Sequence, residues 1–247
     1  MKIVESTSPT RPLWHVDRTT ALALAGLAGF CIITILVQAR LLAGVDLAAA
    51  EAMAAFVSGA LDAFGAVVGI AVSGELSVVY GGIGAILLWR AGLDRWSLAP
   101  LAFVVLVPLE IALKFLIHQP GVPSEFYRGV YYPLATVALQ GTFPSGHALR
   151  AGFLCAFPAI LLARQRGTIG WLAPLGLGAL AVLMGLSRVY LGDHWLSDVV
   201  AGLLLGMAMA LLVAPPVARG LANRIPSARS AGSQGRGPRP ATDRGRT

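Results

Sequence analysis

The stretch TIGWLAPLGLGALAVLMGLSRVYLGDHWLSDVVAGLLLGMAMALLV, residues 168–213, decides the fold. Thr168 to Leu186 and Trp195 to Val213 are apolar runs, each close to the roughly 20 residues with which a helix crosses a bilayer. Between and just inside them stand Ser187, Arg188, Asp193, His194 and Asp198. An ionisable side chain in hydrocarbon is costly unless it is paired or faces a wet cavity, so polar groups kept at the junction of two spans are functional candidates. His194 and Asp198 are four residues apart, and would share one face if the segment is helical.

The same grammar extends outward. Apolar runs cover Thr19 to Ala39, Ser97 to Ile117 and Ala148 to Ala163, the last preceded by a second polar cluster, Pro144-Ser145-Gly146-His147. Another span lies between Phe64 and Trp89. Starting it at about Gly74 leaves Glu75 at its outer end instead of in lipid. Asp46 to Val72 then forms an interfacial or partly buried helix. The chain is 56% hydrophobic and 13% charged, with mean hydropathy +0.74, whereas soluble domains carry about 25% charged residues. The expectation is an all-α polytopic membrane protein of about six transmembrane helices in one bundle. Its parts are an N-terminal segment (1–18), a membrane domain (19–214) and a disordered basic tail (215–247). Met1 to Asp17 is polar, without the pattern of a signal peptide, so the first apolar run reads as an uncleaved helix.

Basic residues set the orientation, because short cytoplasmic loops are rich in Lys and Arg. With the amino terminus inside, Lys2, Arg11, Arg18, Arg90, Arg95, Arg164, Arg166 and the seven arginines from Arg219 to Arg246 all fall on the cytoplasmic side. Only Arg40, Lys114, Arg128, Arg150 and Arg188 do not, and four of these lie in or beside the polar clusters. Both termini are therefore predicted to be cytoplasmic, and both clusters to face the extracytoplasmic side of the plasma membrane. The net charge of +7 does not imply a nucleic-acid partner, since the tail holds seven arginines against one acid, Asp243. That Gly-, Pro- and Ser-rich tail has no apolar period and reads as a topology determinant drawn to anionic membrane lipid, or as a regulatory tail. Cys31 and Cys155 sit in separate spans and read as packing residues, and the tryptophans near segment ends fit an interfacial belt.

The two clusters resemble the second and third signatures of the type 2 phosphatidic acid phosphatase family, PSGH and SRxxxxxHxxxD, with every fixed letter present. The family also includes haloperoxidases that bind vanadate, a phosphate mimic. Its first signature, KxxxxxxRP, is only half matched: Lys114 is in place, but Gly121 and Val122 stand where Arg and Pro are expected. Arg128 is the first candidate to replace the missing arginine, Arg150 the second and His118 the third.

The resemblance implies a membrane-embedded lipid phosphate phosphatase that uses neither metal nor other cofactor. A phosphate ester is a dianion, and Lys114, Arg188, Arg128 and the backbone around Ser145 and Gly146 can bind it. A helix beginning near Ser145 would add its positive end. His194, oriented by Asp198, resembles the family's nucleophile, which forms a phosphohistidine. His147 would protonate the leaving oxygen. Metal binding by His147, His194, Asp193 and Asp198 is the competing reading, opposed by the nearby cations. Glu110, four residues before Lys114, reads as its structural pair, and Asp193 as a loop hydrogen-bonding group. Undecaprenyl diphosphate, phosphatidic acid and phosphatidylglycerol phosphate are the substrates the resemblance allows, with a lean to the polyprenyl diphosphate. A phosphotransferase with the same intermediate, or a non-catalytic binder or transporter retaining the fold, are the alternatives.

Overall fold

The computed structural model describes residues 17–128, 141–165 and 167–224, and the described residues are helical, with no strand among them. Eight α-helices appear there: α1 (Arg18–Gln38), α2 (Ala43–Ala54), α3 (Gly59–Ala71), α4 (Gly74–Arg90), α5 (Val107–Leu116), α6 (Gly146–Leu162), α7 (Ile169–Tyr190) and α8 (Leu196–Arg224). Among the described residues four helical stretches are long and apolar enough to cross a membrane: α1, Asp94–Leu116, α7 and α8. A fifth arises if α3 and α4, bent by 52° at their junction, count as one, and α6 is a shorter apolar helix. Large apolar side chains face outward, including Ile35 at 66%, Val105 at 73% and Leu175 at 64% exposure. Such a surface suits lipid.

Three local outcomes differ from expectation. The interval Asp46 to Val72 is two helices, because Ser58 ends the first segment and caps α3, its hydroxyl accepting from Leu61 N at 3.3 Å. The first half of the Ser97 to Ile117 run is a 3-10 helix over Ala99–Leu106, with Pro100 in its first turn. Helix α8 continues past residue 214 to Arg224, despite Pro215 and Pro216, because Pro215, Val217 and Ala218 are buried and packing holds the segment. The tail beyond Arg224 and the segment 129–140 lie outside the described residues. Of the cysteines, Cys155 is buried as expected, but Cys31 is exposed on the outside of α1.

Helix α8 is the central post, packed most extensively against α6 and α1. Glycine makes this possible. A Cβ on Gly202 would run into the Ser145 carbonyl, and one on Gly206 into the Leu149 carbonyl, so this small-xxx-small pair brings the α8 and α6 backbones together. Gly152 does the same from the α6 side against Leu203. Beside this seam Phe103 and Phe153 pack with ring centroids 5.5 Å apart.

Helix α1 ends in a Schellman motif. Leu41 N donates to Leu36 O at 2.9 Å and Arg40 N to Val37 O at 2.8 Å, with Arg40 in the left-handed region at φ +59°. Glycine usually fills this position, and an L-residue there costs about 1 kcal/mol. Among the described residues Arg40 alone is a non-glycine with positive φ.

Candidate active site

The two polar clusters meet at one end of the α6–α8 seam. Ser145 is fully buried and caps α6, its hydroxyl accepting from Ala148 N at 3.3 Å. Its own N–H donates to the Asp198 carbonyl at 3.0 Å, so the motifs are joined main chain to main chain. The positive end of α6 therefore opens into the cluster.

On α8, Asp198 is fully buried. Its Oδ2 accepts from His194 Nδ1 at 3.3 Å and from Trp195 N at 3.1 Å. With a carboxylate as partner, Nδ1 carries the proton and Nε2 presents a lone pair. His147, in the first turn of α6, lies within electrostatic reach of Arg150, Arg188, His194 and Lys114. One imidazole thus sits among three fixed cations and a second imidazole.

The cations are themselves held. Arg188, wholly buried at the end of α7, pairs with Asp193 at 3.1 Å and donates to Ser187 Oγ and to the carbonyl of Gly65 on α3. Asp193 is thus an ion-pair partner as well as a loop residue. Lys114 Nζ donates to the carbonyls of Thr142 at 3.2 Å and Pro144 at 3.1 Å, tying α5 to the chain just before Ser145. Glu110 approaches Lys114 at 3.9 Å and also Arg150 at 3.6 Å, so it bridges two cations instead of pairing with one. Its carboxylate occupies the space that a Cβ on Gly146 would fill. Arg150 in turn donates to the Val72 carbonyl at 3.0 Å and feels Glu75, in the first turn of α4.

Arg128, the first candidate for the missing arginine, is engaged elsewhere. Its Nε meets Asp62 Oδ1 at 3.2 Å, and its guanidinium lies 5.9 Å from the ring centroid of Tyr190, whose hydroxyl donates to the same carboxylate at 2.7 Å. Asp62 is thus the carboxylate paired with Arg128 in this structure. Arg150 is the arginine that joins His147 and Lys114. His118 is exposed and lines a cleft beside Lys114.

A second polar knot went unread in the sequence. Asp46, 3% exposed on α2, accepts from Ser197 N at 2.8 Å and Ser197 Oγ at 2.7 Å. Gln119 Nε2 donates to Asp46 Oδ2 at 3.3 Å and to Ser197 Oγ at 3.1 Å. Asp46 is thus an N-terminal cap for α8 supplied by another helix, next to Asp198. The only hint was an acid in an apolar helix. Among the described residues no group of three or more His, Cys, Asp or Glu side chains is placed to hold a metal ion.

A helical bundle with an apolar exterior and both signatures at one end defines the class, and a family comparison gives it a name. Residues 96–219 match the PAP2 superfamily, half of the chain, and the chain belongs to that superfamily. Phosphatidylglycerophosphatase B of Bacillus subtilis (strain 168) is 37% identical over 81 residues, covering 29% of this chain and 37% of that protein. A lipid A 1-phosphatase of Rhizobium etli is 36% identical, covering 36% and 35%. An undecaprenyl-diphosphatase of Sulfolobus acidocaldarius is 34% identical, covering 45% and 50%. The chain thus spans between about a third and a half of the length of these curated relatives. Among solved structures, a transmembrane PAP2-type phosphatidylglycerolphosphate phosphatase from Bacillus subtilis superposes with a TM-score of 0.64 at 21% identity, covering 82% of this chain and 96% of that one. That likeness concerns the fold. With the apolar exterior, it makes this an integral membrane protein.

Proposed function

We propose that the protein is a lipid phosphate phosphatase, hydrolysing a phosphomonoester or diphosphate whose tail stays in the bilayer. The observation that carries this reading is the convergence of His194–Asp198 and His147 among Lys114, Arg150 and Arg188. Cations and imidazoles gathered inside an apolar protein suit an anionic group that exchanges protons. The phosphatase names of the relatives point the same way.

In the proposed reaction Lys114, Arg188 and Arg150 hold the phosphoryl oxygens together with the amides at the start of α6. The His194 Nε2 lone pair attacks phosphorus, forming the N–P bond as the P–O bond to the lipid breaks. His147 gives its proton to the departing oxygen. Water then attacks the phosphohistidine, its proton passes to His147, and cleavage of the N–P bond releases phosphate and restores His194. Asp198 stabilises the charge that develops on His194. Glu110 keeps Lys114 and Arg150 close together before substrate arrives. Arg150 here takes the place first given to Arg128.

The topology that suits this chemistry has six spans, both termini cytoplasmic and the site at the extracytoplasmic face of the plasma membrane, with the domain running from α1 through α8. Polyprenyl diphosphate is the preferred substrate class, ahead of phosphatidic acid and phosphatidylglycerol phosphate. Purified protein should release phosphate from such lipids in the presence of chelator, and His194→Ala should abolish the release. Chelator-sensitive turnover that survives this substitution would sink the mechanism.

A further inference from the structure

Five basic residues lie away from the cytoplasmic charge clusters, and four are accounted for. Lys114, Arg150 and Arg188 surround His147, and Arg128 is matched by Asp62. Arg40 is left over. It is exposed at the end of α1, and no described carboxylate lies within ion-pair distance of it. Its backbone occupies the left-handed position where glycine is the favoured residue. A long cationic side chain at such a position gains nothing for the turn itself.

Its surroundings supply a reason. Arg40 and His118 line a cleft of about 300 Å³ whose wall also includes Lys114 and Gly141. A neighbouring cavity of about 270 Å³ shares Arg40, His118, Gln119 and Pro120, and is also lined by the apolar Val37 of α1 and Leu42 just before α2. Arg40 and His118 therefore share one cleft with Lys114, and the cavity beside it reaches Asp46 and Trp195, the neighbour of His194, as well as apolar surface.

We propose that Arg40 and His118 form a second anion subsite that takes the phosphoryl group attached to the lipid in a diphosphate substrate, with the charge of Lys114, which lines the same cleft, between the two phosphoryl groups. This rests on the phosphatase reading above and narrows it to diphosphates. The terminal phosphoryl group goes to His194, and the one held by Arg40 leaves with the lipid as a monophosphate.

Arg40→Gly is the informative substitution, because glycine suits the backbone there and the fold should be kept. His118→Gln supplies an independent second variant. Phosphate release is measured on the diphosphate and monophosphate of one prenyl alcohol, in vesicles of zwitterionic lipid with and without anionic lipid. Each variant should lower the diphosphate-to-monophosphate ratio of kcat/KM roughly tenfold, the loss expected for one charge-assisted hydrogen bond. An equal effect on both substrates, or one seen only with anionic lipid, would mean that Arg40 meets a neighbouring headgroup and would overturn the proposal. Calorimetric titration with methylenediphosphonate and with phosphate gives a readout free of turnover. Wild type should prefer the diphosphonate, and Arg40→Gly should lose that preference. Turnover failing while this preference persists would count against the phosphatase reading alone, whereas equal binding of both anions by wild type would refute the subsite.

Discussion

The α6–α8 seam and the corner where α3 meets α7 both hold charged groups inside an apolar protein, and they do so by different means. At the seam, glycines let two backbones touch, and the Ser145 N–H to Asp198 carbonyl bond fixes one motif against the other. At the α3–α7 corner, Arg128, Asp62 and Tyr190 are joined through side chains that remain part-exposed, and the main-chain bond there, Arg128 N to the Leu191 carbonyl at 3.0 Å, ties a loop to the end of α7 and not one helix to another. Side chains at a wet surface can rearrange or be replaced at little cost. A main-chain joint cannot be altered without moving helices. The position of the two motifs therefore rests on the seam, while the corner serves as outer support.

The sharpest way to break this contrast is Asp198→Asn, which keeps the shape but removes the charge that sets the His194 tautomer. It should lower kcat by roughly 10³ to 10⁴-fold, by analogy with other carboxylate-oriented histidines, as measured by steady-state phosphate release. A mild loss would mean that the seam positions His194 without needing the carboxylate. Arg150→Ala and Arg128→Ala form the next test. The first should lower kcat/KM about a hundredfold, as for a charged hydrogen-bond donor on a phosphate. The second should change it less than about threefold and cost at most about 1 kcal/mol in detergent unfolding. The reverse order would return Arg128 to the site. Gly206→Ala should destabilise the bundle by about 1–3 kcal/mol, because its methyl group meets the Leu149 carbonyl, a backbone atom that cannot swing aside. An unchanged unfolding midpoint would show the seam to be looser than described.

The smallest effect belongs to a group outside the membrane. Asp17 caps α1, accepting from Thr20 N at 2.8 Å and Thr19 Oγ1 at 2.7 Å, and these bonds hold its carboxyl at about 2, below the usual value near 3.8. A carboxyl depressed on folding stabilises fully above its unfolded value and loses that contribution as pH falls through the folded one. The stability difference between wild type and Asp17→Ala should therefore be constant above about pH 5 and shrink towards pH 2, when followed by chemical unfolding. A difference that does not change over this range would remove the carboxylate from the cap.

What was readable in the sequence follows the same divide. The seam motifs are compact: Ser145 with His147, and Arg188 with His194 and Asp198, are close along the chain. Their residue types also stand out against apolar neighbours, so helix boundaries and polar clusters could be read together. The rest depends on partners distant in sequence. Asp46 reaches Ser197 across 151 positions and Arg128 reaches Asp62 across 66, and neither spacing has a periodic signature. Gly202 and Gly206 were visible as small residues in an apolar run, but nothing local told which backbone they would meet. Arg128 follows the broken signature in the outer loop and so stands out along the chain, whereas the place of Arg150, three residues after His147 on α6, shows only through Glu110, a partner distant in sequence.

The main-chain joint between Ser145 and Asp198 also bears on how the protein responds to its solvent. Bilayers differ in thickness, and helices answer by tilting. The Ser145–Asp198 bond and the contacts at Gly152, Gly202 and Gly206 hold α6 and α8 together, so the two should tilt as one body, with Ser145 and Asp198 travelling together. The bend between α3 and α4 is coupled to the same body through Arg150 on α6, which donates to the Val72 carbonyl at 3.0 Å, so a tilt of α6 reaches that bend.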